Sequence, residues 1–182
     1  PSAEAGSFAG LLDEPTIYNR ALSLTEIQAI YAAGAAGKCS SNTPTENCVA
    51  SPTGMVAWWR AEGGVTDVFG NPAGVLVGGA GFAEGRVGQA FSVNGDEGKL
   101  VQIPDSPGLN VTNTLTFEAW VNVTAHSAND AVLVVGKDAP AGVRQYMIGL
   151  VNVGGKWVFR AHLGLTGGFM VMDGTVAVLP GG

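Results

Sequence analysis

Residues 8–34 read FAGLLDEPTIYNRALSLTEIQAIYAAG, and this stretch predicts a strand, a polar corner and a short helix. Ser23-Leu24-Thr25-Glu26 is a capping box, with Ser23 as N-cap and Glu26 three residues on, able to bond back to it. Leu22 before the cap and Ile27 after it can pair as a hydrophobic staple, and Gly34 stands where a helix of residues about 24–33 needs a left-handed terminator. A helix this short is marginal alone, so Leu24, Ile27, Ile30 and Tyr31 are expected to dock on a neighbouring surface. Pro15 removes a ladder donor from the preceding strand, which places that strand at a sheet edge or gives it a bulge. The unit reads as a closing element, although it stands at the start of the sequence.

Beyond it, residues 35–53 (AAGKCSSNTPTENCVASPT) are small and polar, with two prolines and no periodicity, as a linker would be. Cys39 and Cys48 lie in this segment without the further soft ligands that zinc requires, and a disulfide between them is favoured over two free thiols. A disulfide implies an oxidising compartment.

From Gly54 the pattern becomes short strands separated by glycine turns. MVAWWRAEG gives one strand, and a loop through TDVFGNPAGVLVGG leads to the next. AGFAEGRVGQAFSVNGDEGKLVQIPD gives two or three, with Phe82, Val87, Ala90, Phe91 and Val93 as core candidates and a tight turn at Asn94-Gly95. NTLTFEAWVNVT alternates, with Leu115, Phe117, Ala119, Val121 and Val123 on one face and Thr116, Glu118, Trp120 and Asn122 on the other. DAVLVVGKD is a continuous apolar run, and RQYMIGLVNVGGKWVFRAHLG predicts a hairpin turning at Gly154-Gly155. FMVMDG and TVAVLPGG read as the last strands. Strands of this length and spacing predict an all-β sandwich or jelly roll with the one short helix.

Composition narrows the function. The 182 residues are 46% hydrophobic and 13% charged, with 28 glycines and a formal net charge of -6. Nine scattered basic residues do not make a phosphate-binding surface, which argues against nucleic acid. No apolar run of about 18 residues is present to span a membrane as a helix.

Two stretches then carry a family resemblance. GMVAWWRAEGGVTDVFGNPAGVLVGGAGFAEGRVGQAFSVNGDEGKLVQIPDSPGLNVTNTLTFEAWVN resembles the opening half of a laminin-G-like, concanavalin A-like jelly-roll domain, and GLLDEPTIYNRALSLTEIQAIYAAG resembles its closing strand and terminal helix. The order is end first and beginning second. The reading is therefore a closing element at residues 1–34, a disulfide-bearing linker at 35–53, and the opening part of a jelly roll at 54–182, as in a window cut from a tandem array. The alternative is that residues 1–34 complete the sheet begun at residue 54, within the chain or between chains of a filament.

The resemblance also implies a structural calcium, held where an early loop meets the closing strand. It maps Asp67 and Asn71 to that loop and Asp13 to the closing strand. Hydrolases of the same fold carry a cluster of catalytic carboxylates on one strand face. Here Glu118 stands alone, Asp13 and Glu14 point to opposite faces, and Asp96-Glu97 lie in a turn, so an enzyme is not expected. His126 and His162 lack a neighbouring nucleophile motif. A sugar site on a concave face could use Tyr146, Arg160 and His162, although most of the aromatic residues read as packing. The expectation is a secreted, extracellular or cell-surface module without catalysis, acting in structure or adhesion. Its partners would be glycans, other extracellular proteins or copies of itself. The alternatives are a carbohydrate-binding module of a glycoside hydrolase and a filament subunit.

Overall fold

The computed structural model describes residues 6–40, 48–111, 114–125, 131–138, 144–165 and 168–180. The all-β expectation with one short α-helix holds. In chain order the strands are β1 (Gly6–Ser7), β2 (Ala9–Tyr18), β3 (Met55–Trp58), β4 (Val75–Val77), β5 (Gly81–Glu84), β6 (Gln89–Asn94), β7 (Leu100–Gln102), β8 (Thr116–Ala125), β9 (Ala131–Asp138), β10 (Arg144–Val153), β11 (Lys156–Leu165) and β12 (Gly168–Asp173), with helix α1 at Leu24–Ala33. The chain divides into two compact units, one of Leu11–Ser92 with Leu100–Val121, the other of the described parts of 1–10, 93–99 and 122–182.

In the first unit β2 is an interior strand. The order is β3-β2-β6-β5, and β8 also pairs with β2. Against β3 the pairing is antiparallel, Thr16 opposite Trp58 and Ile17 opposite Ala57, with a register shift before Tyr18. The strand of residues 8–18 thus finds its partners among strands of the same chain that follow Gly54. Of the two outcomes that Pro15 allowed, an edge position is excluded. The chain bends instead at Glu14, whose φ of 57° lies in the left-handed region that non-glycine residues rarely adopt. Tyr18, Met55 and Trp58 pack together with Leu22 against them.

Helix α1 starts as its sequence dictates. Glu26 N donates to Ser23 Oγ at 3.3 Å and Ser23 N donates to Glu26 Oε2 at 2.8 Å, closing the capping box. Arg20 grips the same glutamate with both terminal nitrogens. Gly34 ends the helix at φ 53°. The docking face differs from expectation. Ile30 alone is buried, whereas Leu24 and Tyr31 are 70% and 73% exposed and Ile27 is about half exposed. Leu22 packs against the Tyr18–Trp58 core.

The segment read as a linker is braced across itself. Cys39 and Cys48 form the disulfide, and Lys38 bridges Val49 in parallel beside it. Cys39 N donates to Val49 O and Val49 N to Gly37 O.

The second unit is a five-stranded sheet in the order β1-β9-β10-β11-β12. The hairpin of β10 and β11 turns at Gly154-Gly155 with φ of 59° and 84°, a pair of positive values that glycine adopts at no steric cost. FMVMDG forms β12, but TVAVLPGG does not form a strand; Gly174 N and Val178 N instead donate to Phe159 O and Trp157 O of β11. Of the five core candidates in residues 82–93, Val87, Ala90 and Phe91 are buried, and Phe82 and Val93 are half-buried.

Candidate functional site

The densest chemistry lies in the first unit around Lys38. The disulfide-pinned segment carries this lysine inward until it is 5% exposed, and two carboxylates meet it there. Its Nζ lies 2.7 and 3.4 Å from the two oxygens of Glu118 on β8 and 3.3 Å from Glu14 Oε2 on β2. Trp58 of β3 donates its Nε1–H to the same Glu14 oxygen at 2.9 Å, and its ring lies 5.2 Å below the ammonium. Arg60 covers that ring too, at 5.6 Å, with Nε 3.8 Å from Glu14 Oε1. Thr16 donates its hydroxyl to Glu14 O and touches the Glu118 carboxylate.

Burial governs the electrostatics. Desolvation pushes the Glu14 carboxyl up to about 7 against the pull of Lys38, and it raises Glu118 in the same way. Asp13, the neighbour of Glu14, points elsewhere as the alternation of β2 requires. Its Oδ2 accepts from Val87 N at 2.7 Å, its Oδ1 has no hydrogen-bond partner, and burial raises its carboxyl as well. Gly85 permits this approach, because a Cβ there would meet Asp13 Oδ2 at 2.7 Å.

Asp67 and Asn71, the other two residues of the implied calcium site, close on each other. Asp67 Oδ1 accepts from Trp58 N at 2.5 Å, and Oδ2 accepts from Phe69 N, Asn71 N and Asn71 Nδ2, each at 2.9 Å. Asn71 completes the knot, donating to Val56 O and accepting from Ser106 Oγ at its own oxygen. Calcium needs six to eight oxygens turned toward one point. The oxygens of Asp67 and Asn71 are turned instead toward N–H and O–H donors, and among the described residues no three His, Cys, Asp or Glu side chains gather to hold an ion. Asp67 and Asn71 therefore spend their oxygens within the protein. Their arrangement is a locked turn beside β3.

No protein-family model, curated protein or solved structure matches this chain.

The three residues of the expected sugar site lie in the second unit and do not converge. Tyr146 pairs with Leu163 across the β10–β11 ladder, whereas His162 pairs with Met147 and Arg160 with Gly149. Opposed residues share a sheet face and successive residues alternate, so Tyr146 lies on the face opposite Arg160 and His162. Tyr146 is also buried. Arg160 is engaged in a two-pronged pair with Asp173 at 2.6 and 2.8 Å, and His162 stacks on Phe169 with centroids 5.8 Å apart. Trp58, Trp59 and Trp157 are buried as packing residues. His126 lies outside the described residues.

Sequence reasoning missed Lys38 because it stands in a segment whose composition reads as linker, and it set Glu118 apart for want of a partner on its own strand. A local signal existed. An isolated lysine beside a cysteine pair, in a chain with a solitary glutamate on a strand and no other reason for its burial, is a candidate counter-charge.

Proposed function

We propose that this chain is a non-catalytic extracellular module of the laminin-G-like jelly-roll kind, working in structure or adhesion. The observation that carries the reading is the use made of the buried charges: Glu14, Lys38 and Glu118 spend their contacts tying β2, β8 and the disulfide segment together. A glycosidase would need its carboxyl pair open to a sugar ring on both sides, and here a lysine fills the space between the carboxylates. The opposite facings of Tyr146 and of Arg160 with His162 weigh against the carbohydrate-binding alternative. Pairing of β2 within the chain weighs against strand exchange in a filament. The disulfide is compatible with an oxidising compartment, and among the described residues no helix is long and apolar enough to cross a membrane.

A glycan array combined with hydrolysis assays on a β-glucan panel tests the reading. It expects neither saturable glycan binding nor product above buffer. Saturable binding that is lost in Arg160→Ala would replace it with the carbohydrate-binding reading, and product formation that is lost in Glu118→Gln would replace it with an enzyme.

A further inference from the structure

We propose that Lys38 and Glu118 are the two ends of a self-formed isopeptide cross-link, with Glu14 relaying protons between them. The proposal goes beyond the functional reading and does not depend on it. Three observations carry it. The Lys38 Nζ touches both oxygens of one carboxyl group, at 2.7 and 3.4 Å, so amine and carboxyl group are already in contact. A second carboxyl, that of Glu14, touches the same nitrogen at 3.3 Å and is held there by the indole N–H of Trp58. The side chains of Lys38 and Glu14 are each 1% exposed and that of Glu118 is 18% exposed, so the amine is sealed from bulk water.

A nucleophile held at contact distance from its electrophile gains the large effective concentration that converts a two-body reaction into an intramolecular one. Exclusion of water favours condensation over hydrolysis. The step balances without any outside reagent. Glu14 takes a proton from the Lys38 ammonium, and the freed amine attacks Cδ of Glu118 to give a tetrahedral adduct. The C–N bond then stays while one C–O bond breaks. One oxygen of Glu118 leaves with two of the three ammonium protons as a single water, the third proton stays on the amide nitrogen, and Glu14 returns to its starting state. The product would join positions 80 residues apart in sequence, clamping the disulfide segment to β8.

Intact-mass spectrometry of the whole folded chain, held at neutral pH for several days and then reduced at the disulfide, is the test. The expected mass is that of the sequence less one water, with a proteolytic fragment that joins the Lys38 and Glu118 peptides. Lys38→Met carries its full sequence mass, and Glu118→Gln forms the same amide with loss of one ammonia instead. Glu14→Gln keeps both reacting groups and slows formation by about a hundredfold or more, as expected for loss of a positioned acid–base group. A wild-type chain of full mass that is folded by circular dichroism overturns the proposal. So does a missing water that persists in Lys38→Met, because the dehydration then lies elsewhere. Equal rates in Glu14→Gln and wild type remove Glu14 from the step.

Discussion

The two units each hold a cation between carboxylate oxygens, and the two arrangements are unlike in everything that decides their energetic weight. In the second unit Arg160 and Asp173 face each other across β11 and β12 at the surface, each about a third exposed. In the first, Lys38 sits almost wholly out of water between Glu14 and Glu118. An exposed pair exchanges good hydration for a modest attraction, and salt screens what remains. A buried triad cannot fall back on water, so removing one member strands the others. A short nitrogen–oxygen distance therefore says little about stability until burial is known.

The largest expected effect follows from removing the buried cation. Lys38→Met leaves two carboxylates in the interior without their partner and is expected to cost about 3–5 kcal/mol. Chemical denaturation of the oxidised protein, followed by tryptophan fluorescence, measures it through Trp58 beside the lysine. A cost no larger than that of a surface substitution would remove the distinction between the two units.

Next in size is the pH dependence. Glu14 ordinarily titrates near 4.5 and is raised to about 7 when folded. Between those values the folded chain holds the proton that the unfolded chain has released. The contribution of Glu14 is fully present below about pH 4.5, falls as pH rises through the window and is lost above about 7. Its size is about 3 kcal/mol. Asp13, also raised by burial, acts with the same sign. Denaturation midpoints taken across this window should decline with pH, and the decline should flatten in Glu14→Gln.

The smallest effect is expected at the surface pair. Asp173 is held below the usual carboxylate range by its hydrogen bond from Arg160, but both groups remain in contact with solvent. Arg160→Ala should leave the melting temperature within the error of the scan, and any change should vanish in high salt.

How much of this was legible in the sequence differs by scale. The capping box of α1 and the Gly154-Gly155 hairpin are local patterns, and they folded as read; β8 formed as a strand, but Thr116–Asn122 are half-buried on both of its faces. The facing of Tyr146 was also legible. Counting outward from the glycine turn pairs it with Leu163, one residue out of phase with His162, so the three-residue sugar site could have been set aside from register alone. The exposed stripe of Leu24, Ile27 and Tyr31 was not legible, because amphipathic spacing shows that a helix has an apolar face but not which part of it the chain covers. Nor was the triad: Glu14, Lys38 and Glu118 come from three segments with no shared period, and only the pairing of β2 with β3 and β8 gathers them. Asp67 and Asn71 are residue types suited to a metal, and in the fold Asp67 accepts from the backbone N–H groups of a turn.

All of this rests on β2 belonging to the sheet of its own chain. Ile17 and Ala57 are direct partners across β2 and β3, so a double cysteine substitution at these two positions probes that pairing. Oxidised at low protein concentration and run on a non-reducing gel, the variant is predicted to migrate as a monomer, with one proteolytic fragment linking positions 17 and 57. A ladder of covalent dimers and higher species joined through those same positions would contradict the account, because the strand would then be completing a neighbour's sheet.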